Sequence, residues 1–235
     1  MERIAIDCGH NVEHDTGAVG IKVEDNLTLA VGSKVITYMK QLGYKVVDCT
    51  PKSASSQTQA LSLRVIAAGT FRAEFFLSIH FNSGGGHGVE AYAISTEGMR
   101  MAGLLCNAIA NLGFANRGVK DGSHLYVVRN TSMPAVLLEV AFVDSQSDMA
   151  LYDSLGPDKI AQAIVTTITG VKPVQAQNDV ERWIDSMDIK AVQHVINVLG
   201  IKDKNGAALQ EDGKEGPLTL SAKAAAKEVL SYIIK

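Results

Sequence analysis

Three short apolar runs in this chain each lead into an ionisable side chain. The run at 3–6 leads to His10, the run at 75–77 leads to His80, and the run at 135–138 leads to Glu139. Buried strands of parallel sheets consist of such runs, and open α/β sheets place their ligands at the carboxyl edge of the strands. We therefore expect the three side chains to meet at one sheet edge, which indicates an enzyme.

The first 170 residues alternate between strand and helix patterns. Leu27, Val31, Val35 and Met39 recur at the spacing of an amphipathic helix. The same reasoning predicts strands at 3–6, 45–48, 75–79, 89–94, 124–128 and 135–140, and helices at 25–42, 60–68, 97–112 and 156–168. Strands separated by helices predict an α/β fold with a mostly parallel sheet flanked by helices.

The pattern changes after residue 172. Residues 173–178 are polar without a strong period and predict a linker. Residues 179–235 predict a small all-α domain with helices at 189–199 and 218–234. Its predicted core consists of Trp183, Val192, Val195, Ile196, Leu199, Leu220 and Val229. The chain thus divides into a predicted catalytic domain at 1–172 and a helical domain at 179–235.

Composition excludes several classes of protein. A net charge of -3 does not suggest a nucleic-acid partner, and no apolar run approaches the length needed to insert into a membrane. Cys8, Cys49 and Cys106 show neither metal-binding spacing nor a disulfide framework, so we expect small buried thiols. The glycines at 84–86 lack the pattern of a phosphate-binding loop.

Two imidazoles at one sheet edge suit a borderline-soft metal such as Zn²⁺. A catalytic zinc site has three protein ligands and one open position. His10 and His80 supply two of these ligands, and Glu24, just before the helix at 25–42, is the best candidate for the third. The residues at 13–15 (Glu-His-Asp) lie in the same loop and remain alternatives.

Glu139 is best interpreted as the catalytic carboxylate, because a fourth protein ligand would close the coordination sphere. It would accept a proton from water and deliver it to the leaving amine. Taken singly, a histidine at a strand end is more often structural, but three coincident placements favour function. His87 is expected to be an exposed loop residue, His124 either lines the cleft or packs in the core, and His194 is assigned no chemistry.

Several short motifs follow one another in order along about three-quarters of the chain. They are Asp7–His10, Glu24, Arg64, Leu77–Asn82, Gly88–Tyr92, Arg117–Lys120, Leu125–Arg129 and Pro134–Glu139. The ordered set resembles the zinc-dependent N-acetylmuramoyl-L-alanine amidases of the type-3 fold. The resemblance implies a six-stranded sheet, zinc bound by His10, Glu24 and His80, and a catalytic Glu139. It also implies hydrolysis of the amide between N-acetylmuramic acid and the L-alanine of peptidoglycan.

The chain departs from the family pattern at two places. It has Asn11-Val12 where the family usually has glycines after the histidine, and Ala141 where the family usually has glycine. The helical domain is similar to a three-helix peptidoglycan-binding module over 189–193, 196–200 and 212–219. A helical appendage that docks on the catalytic domain or mediates self-association remains the alternative for this part.

The leading hypothesis is a two-domain amidase that lyses cell walls and resembles a phage endolysin, with bacterial peptidoglycan as its partner. The alternatives are a zinc peptidase or carboxypeptidase that acts on the stem peptide, and a non-catalytic wall-binding protein. The chain enters its first strand at once, without the pattern of a signal peptide. We therefore expect it to stay in the host cytoplasm until release and then to act on the wall.

Overall fold

The computed structural model describes residues 1–173, 184, 187–203 and 205–233. The chain separates into two compact units, Met1–Pro173 and Val174–Lys235. The predicted linker beyond residue 173 and Trp183 lie outside the described residues, as does the side chain of Val229.

The first unit is built on one six-stranded sheet with the order β2-β1-β3-β6-β4-β5. The strands are β1 (Arg3–Cys8), β2 (Lys45–Asp48), β3 (Phe75–Asn82), β4 (Val89–Ala93), β5 (Asn116–Asp121) and β6 (Ala135–Phe142). All neighbouring pairs are parallel except β4 with β6, which is antiparallel. The prediction of a mostly parallel six-stranded sheet is confirmed. The reversal of β4 brings its first residues to the edge where β3 and β6 end.

Helices cover both faces of the sheet and form two apolar cores. They are α1 (Glu24–Gln41), α2 (Gln57–Thr70), α3 (Thr96–Ala110), α4 (Tyr126–Arg129) and α5 (Gln146–Thr169). The helices α1, α3 and α5 contribute to the larger core, whereas α2 and α4 contribute to the smaller one. Ser56, Ser95 and Ser145 begin α2, α3 and α5, and each side chain accepts a hydrogen bond from a first-turn N–H.

The prediction of a strand at 124–128 is wrong. Residues 126–129 form α4, and the consecutive Val127 and Val128 are both buried in the smaller core, which a single helical turn permits. The sixth strand is instead β5, whose sequence is polar and whose side chains are largely accessible. An edge strand needs no apolar run, so hydrophobic periodicity could not detect it.

The second unit contains α6 (Ile189–Val198) and α7 (Pro217–Ile233). Val192 and Ile196 lie in its core, as predicted, together with Ile184, Leu209, Ala222 and Ala226. Leu220 was expected there but is 53% exposed. The helix α7 turns Ala222 and Ala226 inward, four residues apart on one face, and this orientation leaves Leu220 on another face.

Among the residues that the structure describes, no helix combines the length and the apolar character that crossing a bilayer requires.

Two glycines in helices should respond to alanine in opposite directions. Gly156 lies at a kink inside α5 with φ 70 and ψ 162, a conformation that is essentially restricted to glycine, so Gly156→Ala should destabilise the fold by about 1–3 kcal/mol. In α3, a Cβ at Gly103 would meet only Val119, at 3.8 Å. Because glycine inside a helix costs conformational entropy, Gly103→Ala should stabilise the fold by about 0.5–1 kcal/mol. Urea denaturation of both variants measures this difference, and equal shifts would contradict it.

Candidate metal centre

Three side chains converge at the edge of the sheet. His10 lies two residues after β1, Glu24 is the first residue of α1, and His80 lies within β3. One ligand atom from each lies within 4.8 Å of the others. The strand-end reasoning thus selected two side chains that the structure brings together, although β3 continues to Asn82 beyond His80.

The carboxylate of Glu24 stands between the two imidazoles. Its Oε1 lies 3.3 Å from Nε2 of His10 and 3.1 Å from Nδ1 of His80, and it also accepts a hydrogen bond from the N–H of Phe81. Burial opposes ionisation, but the hydrogen bonds with His10 and His80 outweigh it and hold the pKa of Glu24 well below its usual range. Glu24 therefore places an anionic oxygen between the two imidazole rings.

The loop that carries His10 depends on an unusual backbone. His10 and Asn11 have φ values of 62 and 68, a left-handed region that asparagine tolerates better than most residues. The Asn11 side chain donates to the carbonyl of Gly9 and to Oγ1 of Thr28. Asparagine thus supports the turn at the first position where the resemblance implies glycine.

Close packing also explains the glycine before His10. A Cβ on Gly9 would lie only 2.2 Å from the ring of His80. The two imidazole rings approach edge to face with their centroids 4.8 Å apart. Only a residue without a side chain lets the His10 loop come this near to β3.

Asp15 orients His10 and is in turn held by Arg64. Its Oδ1 lies 3.0 Å from Nδ1 of His10, and its Oδ2 accepts from Nη2 of Arg64 at 3.0 Å. Metal-binding histidines usually have one ring nitrogen hydrogen-bonded to a carboxylate or carbonyl and the other directed at the ion. In His10, Nδ1 is held by Asp15 and Nε2 faces Glu24. Burial alone would lower the pKa of His10, but the hydrogen bonds with Asp15 and Glu24 outweigh it and raise this pKa to about 10.

The alternatives to Glu24 in the loop at 13–15 do not join the group of donors. Glu13 and His14 are exposed, at 85% and 52% for their side chains. The carboxylate of Asp15 is engaged by His10 and Arg64. Among these acids, only Glu24 places an oxygen between both imidazoles.

Arg64 is buried and ties the loop to the sheet. It pairs with Asp7 and Asp15 and donates to the carbonyls of Cys8 and His10. Asp7 also accepts from Oγ of Ser78, on the neighbouring strand β3. The guanidinium therefore links α2, the end of β1 and the His10 loop into one polar network.

A row of three ionisable side chains crosses neighbouring strands. Glu139 pairs in register with His80 on β3 and with Glu90 on β4, so all three project from the same face. Oε2 of Glu139 is buried without a hydrogen-bond partner among the described residues. Burial, partly offset by His80, raises the pKa of Glu139 to about 7. Glu139 lies inside β6 and not at its end, because β6 runs to Phe142.

The sequence analysis missed the part played by Glu90. This buried carboxylate accepts hydrogen bonds from Asn82, Tyr92 and Arg117 and pairs with Lys120. Glu90 stands at the start of a strand, and the expectation of functional side chains at the carboxyl ends of parallel strands does not extend to that position. The glycine-rich loop before β4 was the available signal, since it returns the chain to the same edge before the strand begins.

A cavity of about 290 Å³ opens beside the donors. His10, His80 and Arg64 form its polar side. Its other lining residues include Leu61, His124, Leu125, Tyr126 and Leu137. His124 is exposed and lines this cavity, which decides between the two expected placements, whereas His87 is exposed in its loop and does not line it.

Comparison with known proteins identifies the family. Residues 4–170 match the family model described as N-acetylmuramoyl-L-alanine amidase. The chain belongs to this family. The match covers the sheet except its first residue, and α1 to α5, so the donors, Glu139 and the cavity all lie within the amidase-family region.

Individual relatives support the assignment. The sporulation-specific N-acetylmuramoyl-L-alanine amidase of Bacillus subtilis is 36% identical over 153 residues, 63% of this chain and 59% of that protein. The endolysin of Bacillus phage SPP1 is 34% identical over 158 residues, 62% and 56% of the two chains.

A solved relative has the same fold. The catalytic domain of the amidase CwlV from Bacillus (Paenibacillus) polymyxa superposes with a TM-score of 0.64 at 34% identity, over 72% of this chain and 97% of that one. The aligned part of the present chain spans only about 60% of the two amidase and endolysin relatives.

Replacing Arg64 should destabilise the amidase-family unit strongly. In Arg64→Met the buried carboxylates of Asp7 and Asp15 lose their counter-charge, which should cost about 3–5 kcal/mol of unfolding free energy. Arg100→Met is the matched control, because Arg100 pairs with Glu97 on the exposed surface of α3 and should leave the denaturation midpoint unchanged. Similar midpoints for both variants in urea would contradict the proposed network.

Proposed function

We propose that this chain hydrolyses the amide that joins N-acetylmuramic acid to L-alanine in peptidoglycan. The observation that carries the proposal is the convergence of His10, Glu24 and His80 beside the unpartnered carboxylate of Glu139. Family membership supports the same bond as the substrate, since the matched family is that of N-acetylmuramoyl-L-alanine amidases.

We propose Zn²⁺ as the metal, held by His10, Glu24 and His80. Two imidazoles and one carboxylate form a donor set typical of catalytic zinc sites. The donor atoms already lie within 4.8 Å of one another, and the second ring nitrogen of His10 is occupied by Asp15. When bound, the ion supplies Lewis acidity toward the scissile carbonyl.

Glu139 is proposed as the general base and then the general acid. Its free Oε2 can accept a proton from the attacking water, and the same carboxyl can return that proton to the nitrogen of the leaving alanine. A raised pKa helps both steps, because a group that titrates near neutral pH can take up and release a proton at similar cost. Tyr92 and Glu90 lie on the neighbouring strand and do not occupy this oxygen.

Variants of the site should separate metal binding from proton transfer. His80→Ala should lose stoichiometric zinc, as measured on purified protein by elemental analysis. Glu139→Gln should retain zinc and lower the hydrolysis rate by about 10²–10⁴-fold. His87→Ala, at an exposed histidine outside the cavity, is the control and should keep both zinc and activity.

The bond cleaved is identified by the new amino terminus that appears on digestion of purified peptidoglycan. Free L-alanine amines would support the amidase, and another new terminus would show a peptidase instead. Full activity of metal-free protein, or full zinc content in the His80→Ala variant, would contradict the site.

We also propose that the second unit binds the cell wall. In this unit the buried Gln193 accepts from the N–H of Gly213 and donates to Asp212 and to the carbonyl of Lys214. The part of the resembling motif at 212–216 is thus a loop fixed onto α6, which contains residues 189–193 of the same motif. A cavity of about 360 Å³ borders the same loop and could receive a wall fragment.

Deleting residues 174–235 should weaken wall association and spare hydrolysis of a soluble muramoyl peptide. The remaining unit corresponds to a catalytic domain that has been solved by itself in a relative. Sedimentation with purified walls measures association, with the Glu139→Gln substitution in both lengths so that digestion does not interfere. Equal sedimentation of the two lengths would show that the second unit has another role.

A further inference from the structure

We propose that Arg117 and Lys120 form a subsite for a carboxylate of the stem peptide, on the amine side of the scissile bond. This inference deepens the proposed function and rests on it. It assigns a recognition role to two cations on β5 that lie two strands beyond the catalytic carboxylate in the order of the sheet.

Glu90 holds these cations in place. Its Oε1 accepts from Nδ2 of Asn82 at 2.9 Å and from the hydroxyl of Tyr92 at 2.7 Å. Its Oε2 accepts from Nε of Arg117 at 2.6 Å and lies 3.2 Å from Nζ of Lys120. Both oxygens are engaged, so Glu90 is an anchor and has no free oxygen comparable to that of Glu139.

Glu90, Arg117 and Lys120 together carry a net charge of +1. Two cations face one buried anion, while their own side chains are 36% and 38% exposed. Arg117 donates from Nε to Glu90, and its Cζ lies 5.0 Å from the centroid of the Phe142 ring. The terminal nitrogens of Arg117 have no hydrogen-bond partner among the described residues, so they are free to meet an anion from solvent. The Lys120 ammonium pairs with Glu90 but carries three N–H donors, so it can also bind a second anion.

The direction of the substrate follows from the order of the strands. The carbonyl of the scissile amide belongs at the donors on the side of β1 and β3, and the amine receives its proton from Glu139 on β6. The peptide therefore continues away from β3, over β4 and toward β5. Two strand spacings are about 10 Å, and two extended residues span about 7 Å. The side chains of the cations can cover the remaining distance.

A pair of substrates tests the subsite. Both are N-acetylmuramoyl-L-alanyl-D-glutamate with the γ-carboxyl group amidated; the first has a free α-carboxylate, and the second carries an amide in its place. Lys120→Met should lower kcat/KM about tenfold for the acid, mainly through KM, and leave the amide unchanged. Lys120→Arg should restore most of the loss, since it keeps the charge. Lys45→Met is the matched control, a strand lysine paired with a glutamate at the opposite edge of the sheet.

The same comparison can be made without turnover. Calorimetric binding of both peptides to the Glu139→Gln protein, with and without Lys120→Met, should show the acid losing about tenfold in affinity and the amide losing none. Equal losses for the two peptides would mean that Lys120 acts only through the surrounding structure, and no loss for either would also overturn the subsite. Absence of hydrolysis alongside selective binding of the acid would reject the proposed function and keep the subsite.

Discussion

The buried ion-pair network around Arg64 is the constraint on which the site depends. His10 lies on a loop with two consecutive left-handed residues, a conformation that needs support from its surroundings. Arg64 supplies that support by bonding the carbonyl of His10 and the carboxylate of Asp15. The same guanidinium pairs with Asp7 in β1, so the loop is fixed to the sheet that carries His80. The candidate ligand His10 is thereby positioned by α2, a helix that is distant in the chain.

The reversed strand β4 gives the site its second half. A wholly parallel sheet would bring only the carboxyl ends of strands to this edge. Because β4 is antiparallel to β6, its first residues also arrive there, and Glu90 stands directly beside Glu139. The strand β5 pairs with β4 and adds Arg117 and Lys120. Along its length the edge therefore presents the group of His10, Glu24 and His80, then the carboxylates of Glu139 and Glu90, and then the two cations.

The sequence predicted the features that arise from burial and failed at those that arise from pairing. Apolar runs located β1, β3 and β6, and with them His10, His80 and Glu139, because a strand buried on both faces has a continuous apolar signal. The polar edge strand β5 has no such signal, and the buried pair Val127-Val128 gave a false one. The ion-pair partners of Glu90 and Arg64 come from distant segments, so no local pattern could reveal them.

Glu90 and Glu139 show how pairing sets chemistry for identical side chains. They are directly opposite each other on adjacent strands, at the same edge and on the same face. The pKa of Glu90 is lowered, because its hydrogen bonds with Arg117 and Tyr92 and its pairing with Lys120 outweigh burial. The pKa of Glu139 is raised, because it is buried with one oxygen lacking a partner. A carboxylate with every oxygen engaged cannot take a proton readily, so the shortage of donors at Glu139 is what suits it to proton transfer.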